Sequence, residues 1–312
     1  MDKRFTDFFT SAVERFSKET PAHAVAFARS AIANGKDNWQ KPAPPIADAR
    51  GVRIPSPNGA IAARLYTPLG AGVAPGPGLI FFHGGGFIVG DVASYDSACR
   101  RLAAHSRLRV LSVDYRLAPE HAFPAAHDDA KTALHWALQN ANNLGMDADN
   151  LAVGGDSAGG TLAAWLGHYA RDNAINLSGQ LLIFPLLQLV ETKSKQRKSP
   201  DAHLLGNQAL NAIRKLYVAD ADPADPRLSP LFSDSFKSLP PALVITAGLD
   251  PLKAEGQAYA DKLAAAGNQV QSLHFRAMPH GFISLTGLVP GALAASEESF
   301  ERFGRMMQSL TD

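Results

Sequence analysis

The sequence predicts an α/β fold with a mostly parallel central sheet flanked by helices. Three observations carry this. Apolar runs of strand length alternate with segments of helical spacing from residue 60 to residue 309. Several runs are apolar without a break, the pattern of strands buried on both faces. Glycine clusters stand where a run ends, as in "HGGGF" (83–87) and "GGDSAGG" (154–160).

The elements follow in chain order. "AIAARLYTP" (60–68) alternates apolar and polar residues, as a half-buried strand does. "GLIFFH" (78–83) is a buried strand, "SYDSACRRLAAHS" a helix and "RVLSVDY" (109–115) a second buried strand. "PAAHDDAKTALHWALQN" (124–140) reads as a helix with proline in its first turn. "NLAVGG" is a strand, "AGGTLAAWLGHYARD" a helix and "SGQLLIFP" (178–185) a strand. "PALVITAG" (241–248), "KAEGQAYADKLAAAG" and "QVQSLHFRA" (269–277) repeat strand, helix, strand, and 293–309 is a closing helix. The rhythm fails between 186 and 238, which holds loops, one helix ("NQALNAIRKLYVAD") and a proline-rich tail. Proline and glycine also cluster from 42 to 57, read as the passage from an N-terminal extension into the main fold. Phe5, Phe8, Phe9, Ala12, Val13 and Phe16 recur at three- and four-residue steps, an amphipathic helix that either covers the protein or lies on a lipid surface.

Composition removes several function classes. The chain has 312 residues, 46% of them hydrophobic, which is ample for a large core. Thirty basic and 29 acidic residues give a net charge of +1 without a basic stripe, so no nucleic-acid partner is expected. "ETKSKQRKSP" (191–200) reads as a solvated loop, with an anion-docking patch as the alternative. Cys99 is the only cysteine, which excludes an internal disulfide and fits a reducing, cytoplasmic compartment. It sits on an amphipathic helix, where packing explains it better than nucleophilic chemistry does. No apolar run approaches the about 20 residues of a membrane span, and the N-terminus lacks a signal-peptide apolar core.

Gly155-Asp156-Ser157-Ala158-Gly159 fits G-x-S-x-G at a strand-to-helix corner. Small residues on either side of the serine let strand and helix approach, and the turn pushes Oγ off the sheet edge. A phosphate loop would need a lysine where Gly160 stands. A serine hydroxyl is a weak nucleophile until a base takes its proton, and the base needs a third group to orient it. Downstream, Asp250 follows the strand "PALVITAGL" and His280 follows the last strand, both at carboxyl ends that converge in a parallel sheet. His274, inside a strand, reads as half-buried and structural, Asp261 as solvated, and Glu255 as a cap for its helix or a brace for Asp250. Asp114, with Arg116 nearby, reads as fixing a loop. Gly84, Gly85 and Gly86 leave backbone N–H groups free to meet a developing negative charge, and His83 shapes their loop.

At these residues the chain resembles the hormone-sensitive-lipase-like (bacterial family IV) esterases of the α/β-hydrolase fold. The motifs are "HGGGF" (83–87), "YRLAPE" (115–120), "GDSAGG" (155–160), "DPL" (250–252) and "HGF" (280–282), in the expected order across roughly 78–285. The resemblance implies a Ser157–His280–Asp250 triad and an oxyanion hole from Gly85, Gly86 and Ala158, with Gly84 as the substitute if the loop register differs. It also implies a helical cap, here 1–45 and 186–238, over a core of 46–185 and 239–312. One departure is visible: the family often has D-P-L-x-D-E, and Ala254 stands at its second acid while Glu255 remains.

The expected activity is hydrolysis of short-to-medium acyl carboxylic esters through an acyl-enzyme, with no metal or cofactor. An amidase or arylformamidase would use the same groups, and an interfacial lipase would draw on Phe5, Phe8 and Phe9. A non-catalytic ligand-binding protein, as the plant gibberellin receptors are, goes with a damaged triad, whereas all three residues are present here. The expected partners are a small-molecule ester and a second copy of the chain, joined through the last strand or last helix, without stable membrane insertion.

Overall fold

The computed structural model describes residues 15, 19–190 and 207–309. The helix expected over Phe5–Phe16 and the charged run 191–200 lie outside these residues. Eight strands form one sheet: β1 (Asp48–Ile54), β2 (Ile61–Thr67), β3 (Gly76–Phe82), β4 (Arg109–Asp114), β5 (Met146–Asp156), β6 (Gly179–Ile183), β7 (Ala242–Leu249) and β8 (Val270–Pro279), in the order β1-β2-β4-β3-β5-β6-β7-β8. Only the pairings β1–β2 and β2–β4 are antiparallel. The remaining neighbours, from β4 through β3 to β8, run parallel. The described helices are α1 (Pro21–Trp39), α2 (Asp96–Ser106), α3 (Ala125–Gln139), α4 (Ala158–Asp172), α5 (Asn207–Ile213, continued by a π turn over Arg214–Val218), α6 (Lys253–Ala265) and α7 (Ala292–Ser309).

The unbroken apolar runs explain the layering. Side chains alternate faces along a strand, so a run with no polar residue must be covered on both sides. Ile80 and Phe82 of β3 join Val153, Leu182 and Val244 in a cluster with α3, α4 and α6. Leu79 and Phe81 face the other way, into a cluster with Leu181, Ile183 and Ile245 under α2 and α7. Cys99 of α2 is fully buried in this second cluster, and burial pushes its thiol up to about 12, so it packs and does not react.

Two elements depart from the sequence reading. The stretch read as a passage into the fold contains β1. It is an edge strand on which Ile54 alone is buried, so it carries no apolar alternation. Its register against β2 places it: Val52 opposes Ala63 and Ile54 opposes Ile61. The second is α1, whose start is marked by proline in its first turn.

Because the central strands are parallel, their carboxyl ends share one edge of the sheet. β3 ends at Phe82, β5 at Asp156, β7 at Leu249 and β8 at Pro279. The residues that follow, His83, Ser157, Asp250 and His280, therefore start from neighbouring points.

Candidate active site

The corner at Ser157 is a strained turn. Its backbone has φ 51° and ψ −116°, a left-handed region costly for a residue with a side chain, by about 1–3 kcal/mol. Hydrogen bonds on both sides hold it there: Ser157 N–H donates to Ile183 O (3.0 Å) and Leu186 N–H donates to Ser157 O (3.0 Å). The flanking glycines are required by close approach. A Cβ on Gly159 would stand 1.9 Å from Phe82 O, and one on Gly155 would stand 2.4 Å from Gly159 C. The first turn of α4 thus presses directly on the end of β3.

The structure brings the three distant residues into one line. The Ser157 hydroxyl lies 2.9 Å from His280 Nε2, and His280 Nδ1 lies 2.8 Å from Asp250 Oδ2. Nδ1–H donates to the carboxylate, which leaves Nε2 to accept from the hydroxyl. Asp250 is held in turn, since Leu252 N–H donates to its Oδ1 at 2.8 Å. Burial works to lower the His280 pKa, but the charge and hydrogen bond of Asp250, with Asp156 and Glu255 behind, raise it above the ordinary histidine value. The Phe184 ring meets the imidazole edge-on at 4.9 Å and limits its rotation.

The glycine loop sits beside the serine. Gly84 N–H is committed, donating to Asp156 Oδ1 at 2.8 Å. It is therefore not a spare donor, and the substitution of Gly84 for a later glycine is not supported. The N–H groups of Gly85 and Gly86 meet no acceptor among the described residues, and Ala158 N–H opens a helix, where no intrahelical acceptor exists. Gly85 has φ 115°, and a Cβ there would stand 2.0 Å from Val89 O. His83 shapes this loop. Its Nδ1–H donates to Gly84 O (2.8 Å), its ring stacks on Tyr115 at 4.4 Å, and Tyr115 OH donates to His83 O (2.7 Å). Burial drives the His83 pKa down to about 4, which keeps the ring neutral and unsuited to be the base.

Among the rivals, some resolve as expected and others do not. His274 is exposed rather than half-buried and bonds to Thr246 Oγ1 (2.9 Å), because β8 is the outermost strand. Asp261 is exposed, as expected. Glu255 accepts from Leu187 N–H (2.7 Å) and Gln188 Nε2 (3.2 Å), so it fastens the loop after β6. Arg116 does not pair with Asp114; it makes a fork with Asp129. Asp114 is hydrogen-bonded to the Val92 backbone, in keeping with the loop-fixing reading, and burial with Asp91 nearby pushes its pKa up to about 6.

Two elements outside the sheet close on the glycine loop. Arg29 of α1 donates to Ile88 O and Ala118 O, both at 2.9 Å, and forks onto Glu120. Ile213 of α5 lies over Gly86, where an added Cβ would meet its side chain at 2.7 Å. Beyond it, Tyr217 stacks on Phe87 at 3.9 Å and bonds to His127. Sequence reasoning did not single out Tyr95, Tyr217 or Arg29. Their partners lie far away in the chain, and no local pattern marks them.

Comparison with known proteins bears on the family and the fold. A family model described as the alpha/beta hydrolase fold matches residues 79–284. A carboxylic ester hydrolase, LipN, of Mycobacterium tuberculosis (strain ATCC 25618 / H37Rv) is 41% identical over 266 residues, covering 82% of this chain and 70% of that protein. The esterase LipI of the same organism is 36% identical over 269 residues, covering 84% and 83%. Among solved structures, an alpha/beta hydrolase enzyme from the metagenome of Lake Arreo, Spain, superposes with a TM-score of 0.88 at 37% identity, covering 97% of this chain and 96% of that one.

Proposed function

The chain belongs to the hormone-sensitive-lipase-like carboxylesterases of the alpha/beta hydrolase fold, and from that premise we propose that it hydrolyses carboxylic esters with Ser157 as nucleophile, His280 as base and acid, and Asp250 as the group that orients His280. The observation that carries the assignment is the continuous relay from Asp250 to His280 to Ser157, at 2.8 and 2.9 Å.

The chemistry follows from the geometry. His280 Nε2 takes the Ser157 proton as Oγ attacks the ester carbonyl. The C=O electrons move onto oxygen, and the N–H groups of Gly85, Gly86 and Ala158 receive that charge. The tetrahedral intermediate collapses, His280 returns the proton to the alcohol, and an acyl-serine remains. Water, deprotonated by His280, attacks the acyl carbon in the same hole and frees the acid and Ser157. Asp250 stabilises the imidazolium without becoming protonated. No step calls for a metal or cofactor.

The reading extends to the parts around the site. The described parts of 1–45 and 186–238 form a cap, a reading supported by the contacts of Arg29 and Ile213 with the glycine loop. The acyl group is short to medium. The protein is cytoplasmic, has no nucleic-acid partner and pairs through β8 or α7, β8 being a largely exposed edge strand. Among the described residues, no helix is long and apolar enough to cross a membrane.

The test is a rate series on p-nitrophenyl esters of rising acyl length, with Ser157→Ala as control. That variant loses about 10⁶-fold in kcat if the serine is the nucleophile. A fluorophosphonate labels the unmodified protein and not the variant. Full activity in Ser157→Ala overturns the assignment.

A further inference from the structure

The residue before the nucleophile carries a carboxylate that the mechanism above does not use. Asp156 is 2% exposed. Its Oδ1 accepts from Gly84 N–H at 2.8 Å and its Oδ2 from Tyr95 OH at 2.9 Å. The same Gly84 N–H also lies 3.1 Å from the Tyr95 oxygen, so the three groups form a closed triangle. Both carboxylate oxygens act as acceptors, the pattern of an ionised acid. Such a charge is costly to bury away from a cation, and Asp156 has only neutral donors on its two oxygens. Burial accordingly drives its pKa up to about 7, against the opposing pull of Tyr95, His280 and Gly84. A neutral side chain of the same size would fill the space more cheaply, so the carboxylate needs a reason.

Position supplies one. Gly84 immediately precedes Gly85 and Gly86, whose N–H groups have no acceptor among the described residues. Asp156 immediately precedes Ser157. The Gly84–Asp156 bond therefore ties the loop that meets the oxyanion to the residue next to the nucleophile. The Tyr95 ring, packed at 6.4 Å from Phe81 and 5.4 Å from His83, fixes the third corner. The space is closed to variation, since a Cβ on Gly84 would lie 2.4 Å from Asp156 Oδ2.

We propose that Asp156 is a positioning residue for ester hydrolysis: clamped by Gly84 N–H and Tyr95 OH, it sets the amides of Gly85 and Gly86 at a fixed distance from Ser157. This rests on the esterase reading and adds to it a side chain that bonds to Gly84 and Tyr95 and to no triad side chain. The oxyanion exists only on the reaction path, so a displaced donor harms kcat and leaves ground-state binding in place.

The experiment uses Asp156→Ala, which removes the acceptor of Gly84 N–H, and Tyr95→Phe in the full chain. Competent sites are counted by release of p-nitrophenol from a p-nitrophenyl phosphonate, and kcat and KM for p-nitrophenyl butyrate are expressed per counted site. Inhibition by an alkyl trifluoromethyl ketone, which forms a tetrahedral oxyanion on the serine, is measured alongside. Removing an oxyanion donor costs about 10²–10³-fold, and displacing one in Asp156→Ala, which leaves Gly84 N–H without its acceptor, should cost about tenfold in kcat, with KM within about twofold. The ketone should bind more weakly by the same factor. Tyr95→Phe should lose less, and the double variant should lose less than the product of the two, since both act on one bond. A merely structural role would lower the number of competent sites and leave the rate per site and the ketone affinity unchanged; that result overturns the proposal. If Asp156→Ala does not fold, Tyr95→Phe decides, because its ring and packing are kept; an unchanged rate per site there overturns the proposal equally. An unmodified protein that neither titrates nor hydrolyses the ester defeats the esterase reading itself, a different outcome.

Discussion

At the scale of single residues, the site is a set of commitments that exclude one another. His280 gives its one N–H to Asp250 and so presents a lone pair to Ser157. Since the net of burial and the Asp250 charge raises its pKa, the base is in its protonated, inactive form over a wider acidic range than a free histidine would be. The rate therefore falls as pH drops through a value above the ordinary one. Asp250→Asn removes the raising charge, so the acidic limb of the kcat/KM profile moves to lower pH while the plateau falls by about 10⁴-fold, as a pH-rate series measures. The glycines make a second commitment. Gly159→Ala places a methyl 1.9 Å from Phe82 O, backbone that has no room to retreat. It should lower stability by at least about 1–3 kcal/mol in urea unfolding and reduce the rate of whatever folds.

At the scale of elements, what packs from outside the sheet decides how firmly the glycine loop is held. Tyr217, on the π turn after α5, is fully buried and stacks on Phe87, while its hydroxyl meets His127 Nδ1 at 2.8 Å. Tyr217→Phe should cost about 1 kcal/mol, and Tyr217→Ala about 3–5 kcal/mol, by equilibrium unfolding. The central strands and the helices between them are legible in the sequence because burial on both faces leaves an unbroken apolar run such as Leu79–Phe82. β1 is not legible, because an edge strand with only Ile54 fully buried has no apolar alternation to read. The same contrast holds within the site. Ser157, Asp250, His280 and the glycine loop each sit in a short motif at a strand end. Tyr95 meets Asp156 across 61 residues of chain, and only the folded sheet states that pairing.

At the scale of the whole molecule, the sheet separates two apolar clusters that share no side chain. Ile80 points into one and Ile245 into the other. Ile80→Val and Ile245→Val should each cost about 0.5–1.5 kcal/mol, and the double variant their sum to within about 0.5 kcal/mol, as urea midpoints would show. The sheet also dictates when the parts assemble. Ser157 follows the fifth strand, while His280 waits for the eighth, at the far border. During synthesis from the N-terminus, the growing polypeptide exposes its hydroxyl long before an imidazole can reach it. Nascent chains are thus chemically silent toward the esters around them, and a ribosome-bound fragment halted before residue 270 should escape phosphonylation while the finished product does not.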